Sequence, residues 1–376
     1  MQDPRQVVPR QFFILTVGLY IGTSILITPS GLAHSAREDA WIASLFSLTL
    51  NLLMVGLYLG LARVYPGKTL FQIHMQAFGT IIGRLVNGLY LIYFLFLTGT
   101  LVGNLGFFLS SEIMPETPNE ATQILFLVTA VMCARLGFIV LARFGELLFP
   151  VLALLFLMLV LALAPQIHWD YMLPILEDGW RPVLRAGFHT AMFQELVVLL
   201  CFLPQVAGKS KVRAQAYIAG TGIGGLALAI IAALSVLVLG IEQTENSTFP
   251  AFALAKTISV GQFFQRVEGL LIALWIMTFF VKVALLFLAM LRGFQDTFGM
   301  QRPQALIYPL AVMFLVVAWH TYINTVYVAD IVQTAWGGYA LLHLAVIPLV
   351  VLVVGLCRRK WGNLGRVGLE GGLKNE

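Results

Sequence analysis

The chain has 376 residues, of which 59% are hydrophobic and only 11% charged. No soluble core of that length requires such a balance, which marks a polytopic membrane protein. The formal charge of +5 lies in short basic clusters between apolar runs, without a basic face or nucleic-acid motif, so it argues for topology signals and against a nucleic-acid partner.

The first ten residues are mostly polar. The apolar run that follows is too long for a secretory core and lacks a small-residue cleavage site, so it is expected to be retained. Runs of about 17 to 25 residues predict ten spans, near residues 11 to 33, 40 to 63, 84 to 109, 121 to 136, 143 to 164, 187 to 206, 214 to 240, 268 to 290, 304 to 320 and 335 to 356. The fourth is short, and Arg135 and Arg143 bracket a tight connection to the fifth. Residues 69 to 78 and 250 to 265 read as short amphipathic helices on opposite faces, more suited to padding the interface than to covering a vestibule. The polar, glycine-rich tail at 362 to 376 is expected to be disordered.

With the N-terminus in the cytoplasm, every basic residue falls on the inner side except Arg37, Arg181, Arg185, Lys256, Arg266 and the intraspan Lys282. That asymmetry predicts a multi-pass protein of the cell membrane with both termini cytoplasmic. Cys133, Cys201 and Cys357 are widely spaced and give neither a disulfide framework nor a metal pattern.

The first span carries Gly22-Thr23-Ser24 at its centre. In hydrocarbon every backbone amide and carbonyl needs a partner, so a helix breaks at mid-depth only where protein, water or solute satisfies the freed groups. Transporter folds build substrate sites at such breaks. The ten spans divide into two five-helix repeats, 11 to 164 and 187 to 356, about the loop at 165 to 180, and the sixth then corresponds to the first. Counting about 1.5 Å per residue puts Glu195 roughly 12 Å deep from one side and Gly22 about 17 Å from the other. An inverted repeat requires such similar depths, which predicts an all-α fold with broken first and sixth helices.

Glu195 is the strongest candidate for a functional acid, because a carboxylate at a helix centre costs about 2.5 to 3.5 kcal/mol unless a cavity, a cation or a proton compensates. Its bland reading is a neutral side chain bonded to unwound backbone. Gln194 beside it suits a bridge between helices. Lys282 sits about 15 Å along its helix from Arg292, too far for complete snorkelling. Its ammonium reads either as a built-in cation organising the first break, and able to couple protonation to conformation, or as a fixed charge paired with a carboxylate or carbonyl. Asn51, Asn87, Thr98, Thr100 and Asn104 suit interhelical hydrogen bonds more than ligand contact, and Gly220, Gly222, Gly224 and Gly225 suit close helix packing. Arg143 and Glu146 are spaced for a pair on one helix surface. His343 reads as a proton relay or, more commonly, a hydrogen-bonded packing residue. No Walker motif, zinc-ligand pattern or nucleophile elbow is present, so neither enzymatic chemistry nor a metal or other cofactor is expected.

The segments Pro9-Arg10-Gln11-Phe12, Ile21-Gly22-Thr23-Ser24-Ile25-Leu26-Ile27-Thr28-Pro29 and Asp39-Ala40-Trp41-Ile42 resemble the start of the spore germination receptor B subunits. Tyr65-Pro66-Gly67-Lys68-Thr69-Leu70, Pro115-Glu116-Thr117-Pro118, Arg143-Phe144-Gly145-Glu146, Leu173-Pro174-Ile175-Leu176 and Phe279-Phe280-Val281-Lys282 continue the resemblance in order. It implies a branch of the amino acid, polyamine and organocation transporters with a LeuT-like five-plus-five fold. It further implies a nutrient-sensing subunit of the spore inner membrane acting with an A subunit and a lipoprotein C subunit. By that resemblance a small germinant such as an amino acid binds between spans one and six. Its carboxylate would meet Gly22, Thr23 and Ser24, with Phe193, Gln194 and Glu195 as the facing wall. The first break here lacks the flanking glycines frequent in that fold, and Glu195 adds a negative charge, which either meets a ligand's ammonium or means that the ligand is something other than an amino acid. A proton-coupled amino acid symporter would use the same cavity and is the competing reading.

Overall fold

The computed structural model describes residues 6–258, 268–321 and 335–372, with side chains up to residue 359. Among these the chain is helical, apart from irregular connections and an isolated parallel bridge between Val7 and Val206. The first span is split into α1 (Pro9–Ile21) and α2 (Ser24–Ala36). Pro9 opens α1 where its missing N–H costs nothing. The next helices are α3 (Ala40–Val64), the short α4 (Leu70–Phe78), α5 (Thr80–Glu112), α6 (Asn119–Leu136) and α7 (Phe138–Leu163).

The second half begins with α8 (Trp180–Ala191), seven residues earlier than the apolar run suggested, because Trp180, Arg181 and Arg185 lower the local hydropathy without breaking the helix. After an irregular stretch it resumes as two 3₁₀ segments, Leu196–Cys201 and Leu203–Gln205. Then come α9 (Ser210–Leu239), α10 (Ile241–Asn246), α11 (Pro250–Lys256), α12 (Glu268–Phe298) and α13 (Ile307–Thr321). The last span comprises α14 (Trp336–Leu341), a π-helical turn (Leu342–Val346) and α15 (Ile347–Gly372). With no proline to end it, α15 continues as helix to Gly372, through most of the tail whose composition suggested disorder.

Among the described residues, eight helical stretches are long and apolar enough to cross a membrane. Of the first span only the α2 half enters that set, as part of one stretch with α3 (Ser24–Val64), while the 13-residue α1 falls outside it. Also outside it is α6, whose 18 residues include Asn119, Glu120, Gln123 and Arg135 and are less apolar for that. Each of the ten positions read from the sequence is nonetheless mainly helical over its described residues, the first and sixth being interrupted.

Burial sorts these helices into inner and outer. Every residue of α12 from 281 to 291 is buried, and so is nearly all of α1, the all-round pattern of central helices. By contrast α7 exposes Leu147, Leu154 and Leu161, as a lipid-facing helix does. Small residues bring α9 against the centre. A Cβ at Gly220 would lie 2.6 Å from Thr16 Cβ, at Gly224 2.7 Å from Tyr20 Cβ, and at Gly225 2.3 Å from Leu48 Cδ1. Gly222 faces open space, so the close packing expected of the four holds for three of them.

Both short amphipathic helices pack more deeply than padding would. Phe249 and Phe252, at the start of α11, meet Phe108, which in turn meets Trp275 on α12 at 4.7 Å between ring centroids. The rest of the outer segment expected at 250 to 265 lies outside the described residues beyond Ile258. On the opposite face, α4 starts from a capping box in which Thr69 Oγ1 accepts from Gln72 N–H at 3.3 Å. It buries Phe71, Ile73 and His74 against α5.

Asn87 on α5 fulfils its expected bridging role, donating to Phe71 O at 3.2 Å and accepting from His74 Nδ1 at 2.8 Å. Burial holds the His74 imidazole down at about 4, against an ordinary 6.5. The unfolded chain therefore takes up this proton near pH 6.5 and the folded one only near 4. Stability should be flat above about 6.5 and fall as the pH drops toward 4, by at most about 3 kcal/mol from this group. His74→Gln is expected to flatten that part of a melting-temperature profile in detergent. An unchanged slope would contradict a buried neutral His74.

Two local pairings differ from expectation. The Glu146 carboxylate is taken by Arg10 and, at 2.6 Å, by Gln11 Nε2. It thus ties α7 to the start of α1, a nonlocal pairing that helical spacing with Arg143 does not reveal. Thr98 donates back to Phe94 O within its own helix at 2.6 Å, whereas Asn51 does bridge, donating to Tyr20 Oη at 3.2 Å.

Candidate functional site at the paired helix breaks

The two breaks face each other beside α12. At the first, Gly22 takes φ 21° and ψ −118°, and its N–H closes α1 on Gly18 O at 3.0 Å. Thr23 then caps α2. At the second, α8 ends at Ala191, and Met192 to Glu195 run irregularly into the first 3₁₀ segment.

Lys282 projects from α12 into this gap and is 1% exposed, as is Glu195. Its Nζ lies 2.7 Å from Glu195 Oε2, 3.3 Å from Thr23 Oγ1 and 3.2 Å from Phe193 O. Three acceptors match the three N–H donors of an ammonium. One is a full charge on the sixth span, one a carbonyl freed by the break in that span, and one a hydroxyl at the break in the first. The stem of Lys282 crosses Gly22, where a Cβ would lie only 2.6 Å from Lys282 Cδ. The two breaks also bond directly, Gln194 Nε2 donating to Ser24 Oγ at 2.8 Å.

All seven candidate residues, Gly22, Thr23, Ser24, Phe193, Gln194, Glu195 and Lys282, therefore meet in one buried polar knot. Phe193 contributes its carbonyl, while its ring packs on His189 at 5.1 Å. Gln194 Oε1 is buried with no hydrogen-bond partner among the described residues, which leaves one free acceptor at the knot. Lys282 thus pairs with a carboxylate and a carbonyl together and also reaches the first break through Thr23.

The sequence reading missed the tyrosines. Tyr217 on α9 donates to Leu196 O in the 3₁₀ segment. Tyr58 on α3 donates to Leu344 O at 2.7 Å, and Tyr90 on α5 to His343 O, both in the π-helical turn. Irregular backbone inside a membrane needs such partners. The available signal was a tyrosine in mid-span, away from the interface where the residue is common. His343 is a packing residue here, its Nδ1 donating to Tyr339 O at 2.9 Å and its ring stacked on Tyr93 at 4.5 Å.

Two broken helices enclosing a polar knot beside a buried central helix define a membrane protein of the LeuT-like, five-plus-five transporter fold. The structure of MhsT in complex with L-phenylalanine matches with a TM-score of 0.67 at 14% identity, over 92% of this chain and 97% of that one. Mhp1, a nucleobase-cation-symport-1 family transporter solved closed with bromovinylhydantoin bound, matches with a TM-score of 0.64 at 15% identity, over 94% and 90%. The chain belongs to the spore germination protein family, which it matches over residues 6–326. Among its relatives, spore germination protein KB of Bacillus subtilis (strain 168) is 29% identical over 82% of this chain and 83% of its own length. Spore germination protein YndE of the same organism is 23% identical over 93% and 96%.

Proposed function

We propose that the protein is a nutrient germinant receptor subunit that binds a small zwitterion, an amino acid, where the first and sixth helices break, and thereby triggers spore germination. The observation that carries this reading is the buried Lys282–Glu195 pair between the two breaks. A buried ion pair barely repays its desolvation, so exchanging it for two equivalent pairs costs little. An amino acid supplies those pairs, its carboxylate meeting Lys282 and the Ser24 hydroxyl and its ammonium meeting Glu195 and the free Gln194 Oε1. Separating Lys282 from Glu195 moves α12 relative to the sixth span, which is the signal. The germination proteins among its relatives support the role, and the ligands of the two transporter structures show that the fold admits solutes of different chemistry. In this reading the protein works in the spore inner membrane, termini in the cytoplasm, with an A subunit and a lipoprotein C subunit as partners.

A thermal-shift screen of the purified chain against amino acids, sugars and nucleosides tests the ligand class. An amino acid at a hundred times its Kd should add about 2.7 kcal/mol of apparent stability. A response confined to sugars or nucleosides would overturn the zwitterion assignment. In liposomes the protein should bind the amino acid without accumulating it under a proton gradient. Sustained gradient-driven uptake would establish the proton-coupled symporter instead.

A further inference from the structure

At the end of the bundle that carries the N-terminus, a cavity of about 280 Å³ opens between the end of α3, the turn that follows it, the last 3₁₀ segment of span six and the start of α9. Arg63, Lys68 and Arg213 line it, and no acidic residue does. Arg63 and Lys68 enter no ion pair among the described residues. Arg213 reaches Leu203 O at 3.5 Å, which leaves most of its donors unused. Ser210, also in the lining, is the first residue of α9, and Lys209 before it provides no side-chain cap. Of the first amides of this 30-residue helix, that of Val212 is taken by Lys209 O at 3.0 Å, while those of Ser210 and Lys211 receive no side-chain cap from Lys209. Deeper in, the wall is Leu59, Ala62, Leu203 and Ala214.

Three cations held around one cavity repel each other unless an anion joins them. Forked guanidinium donors together with an uncapped helix start suit a tetrahedral oxyanion. The apolar inner wall beneath a basic rim, at the end of membrane-length helices, suits an amphiphile. The geometry points to a binding site for a phosphate group, presented by the headgroup of an anionic phospholipid or as free phosphate, clasped between span two and the junction of spans six and seven. The site lies apart from the Lys282 knot and does not depend on the proposed receptor role.

The full-length chain in mixed micelles of fixed ionic strength is titrated with phosphatidylglycerol, phosphatidylcholine or inorganic phosphate, and its melting temperature is read. The variants are Arg63→Gln, Arg213→Gln, their double, and Lys211→Gln, which removes one charge from the same helix end outside the cavity lining. Phosphatidylglycerol should stabilise the wild type, with an apparent affinity reduced at least tenfold in the double variant and little changed in Lys211→Gln. Stabilisation by phosphatidylglycerol without a response to inorganic phosphate assigns the lipid source, and saturation by inorganic phosphate assigns the free anion. Two results would overturn the site: no response to either probe, or an equal loss in Lys211→Gln and in each cavity variant.

Discussion

Replacing Lys282 with methionine is expected to cost about 3 to 5 kcal/mol of stability, because Glu195 is then buried without its cation. Glu195→Gln, which strands the ammonium, should cost a similar amount. Were the pair only structural, the effects would end there. The double variant, Lys282→Met with Glu195→Gln, buries no net charge, and most of the lost stability should return. Its ligand response should not return, since neither charge of a zwitterion meets a counter-charge. Losing one such buried contact costs about 2 kcal/mol or more, roughly 30-fold in affinity. The melting temperatures of the four proteins and their amino acid titrations decide the matter. A double variant that titrates like the wild type would remove both residues from the ligand site, and single variants as stable as the wild type would mean that the pair is not desolvated.

The legible part of this molecule follows from solvent and period. Hydrocarbon demands long apolar runs, and these located the helices. Such runs make a glycine-threonine-serine interruption or an intraspan glutamate conspicuous, which is why Gly22, Glu195 and Lys282 stand out in the sequence alone. What stayed hidden is what depends on partners far along the chain. Nothing local reveals that Glu146 pairs with Arg10, which is 136 residues away, or that Tyr58 serves a carbonyl 286 residues on. Nor does apolar content distinguish α-helix from the 3₁₀ path of Leu196–Cys201, since the difference lies in which carbonyls find outside donors. The charged site was visible from composition, while its closure by an internal ion pair needed the fold.

That closure also explains why the first break is glycine. Gly22→Ala is expected to abolish the ligand response, through two separable effects. A φ of 21° is rarely adopted by a residue with a Cβ, and holding alanine there costs about 1 to 3 kcal/mol. The new methyl would also sit 2.6 Å from Lys282 Cδ and 3.1 Å from Leu19 O, so the lysine stem must move and its Nζ must leave Glu195, Thr23 and Phe193 O together. Gly31→Ala in α2 is the control. A Cβ there meets nothing within 4 Å, and removing glycine from a helix interior should stabilise it by about 0.5 to 1 kcal/mol. The decisive comparison places Gly22→Ala in a Lys282→Ala background. With the clashing stem gone, the substitution should cost less than in the wild type, leaving the backbone strain and the contacts with Leu19 O and with the retained Cβ of residue 282, 3.3 Å away. Equal costs in both backgrounds would show that the glycine serves the backbone alone. A smaller cost without the lysine would show that Gly22 is there to let Lys282 cross the break and hold the two halves of the site shut.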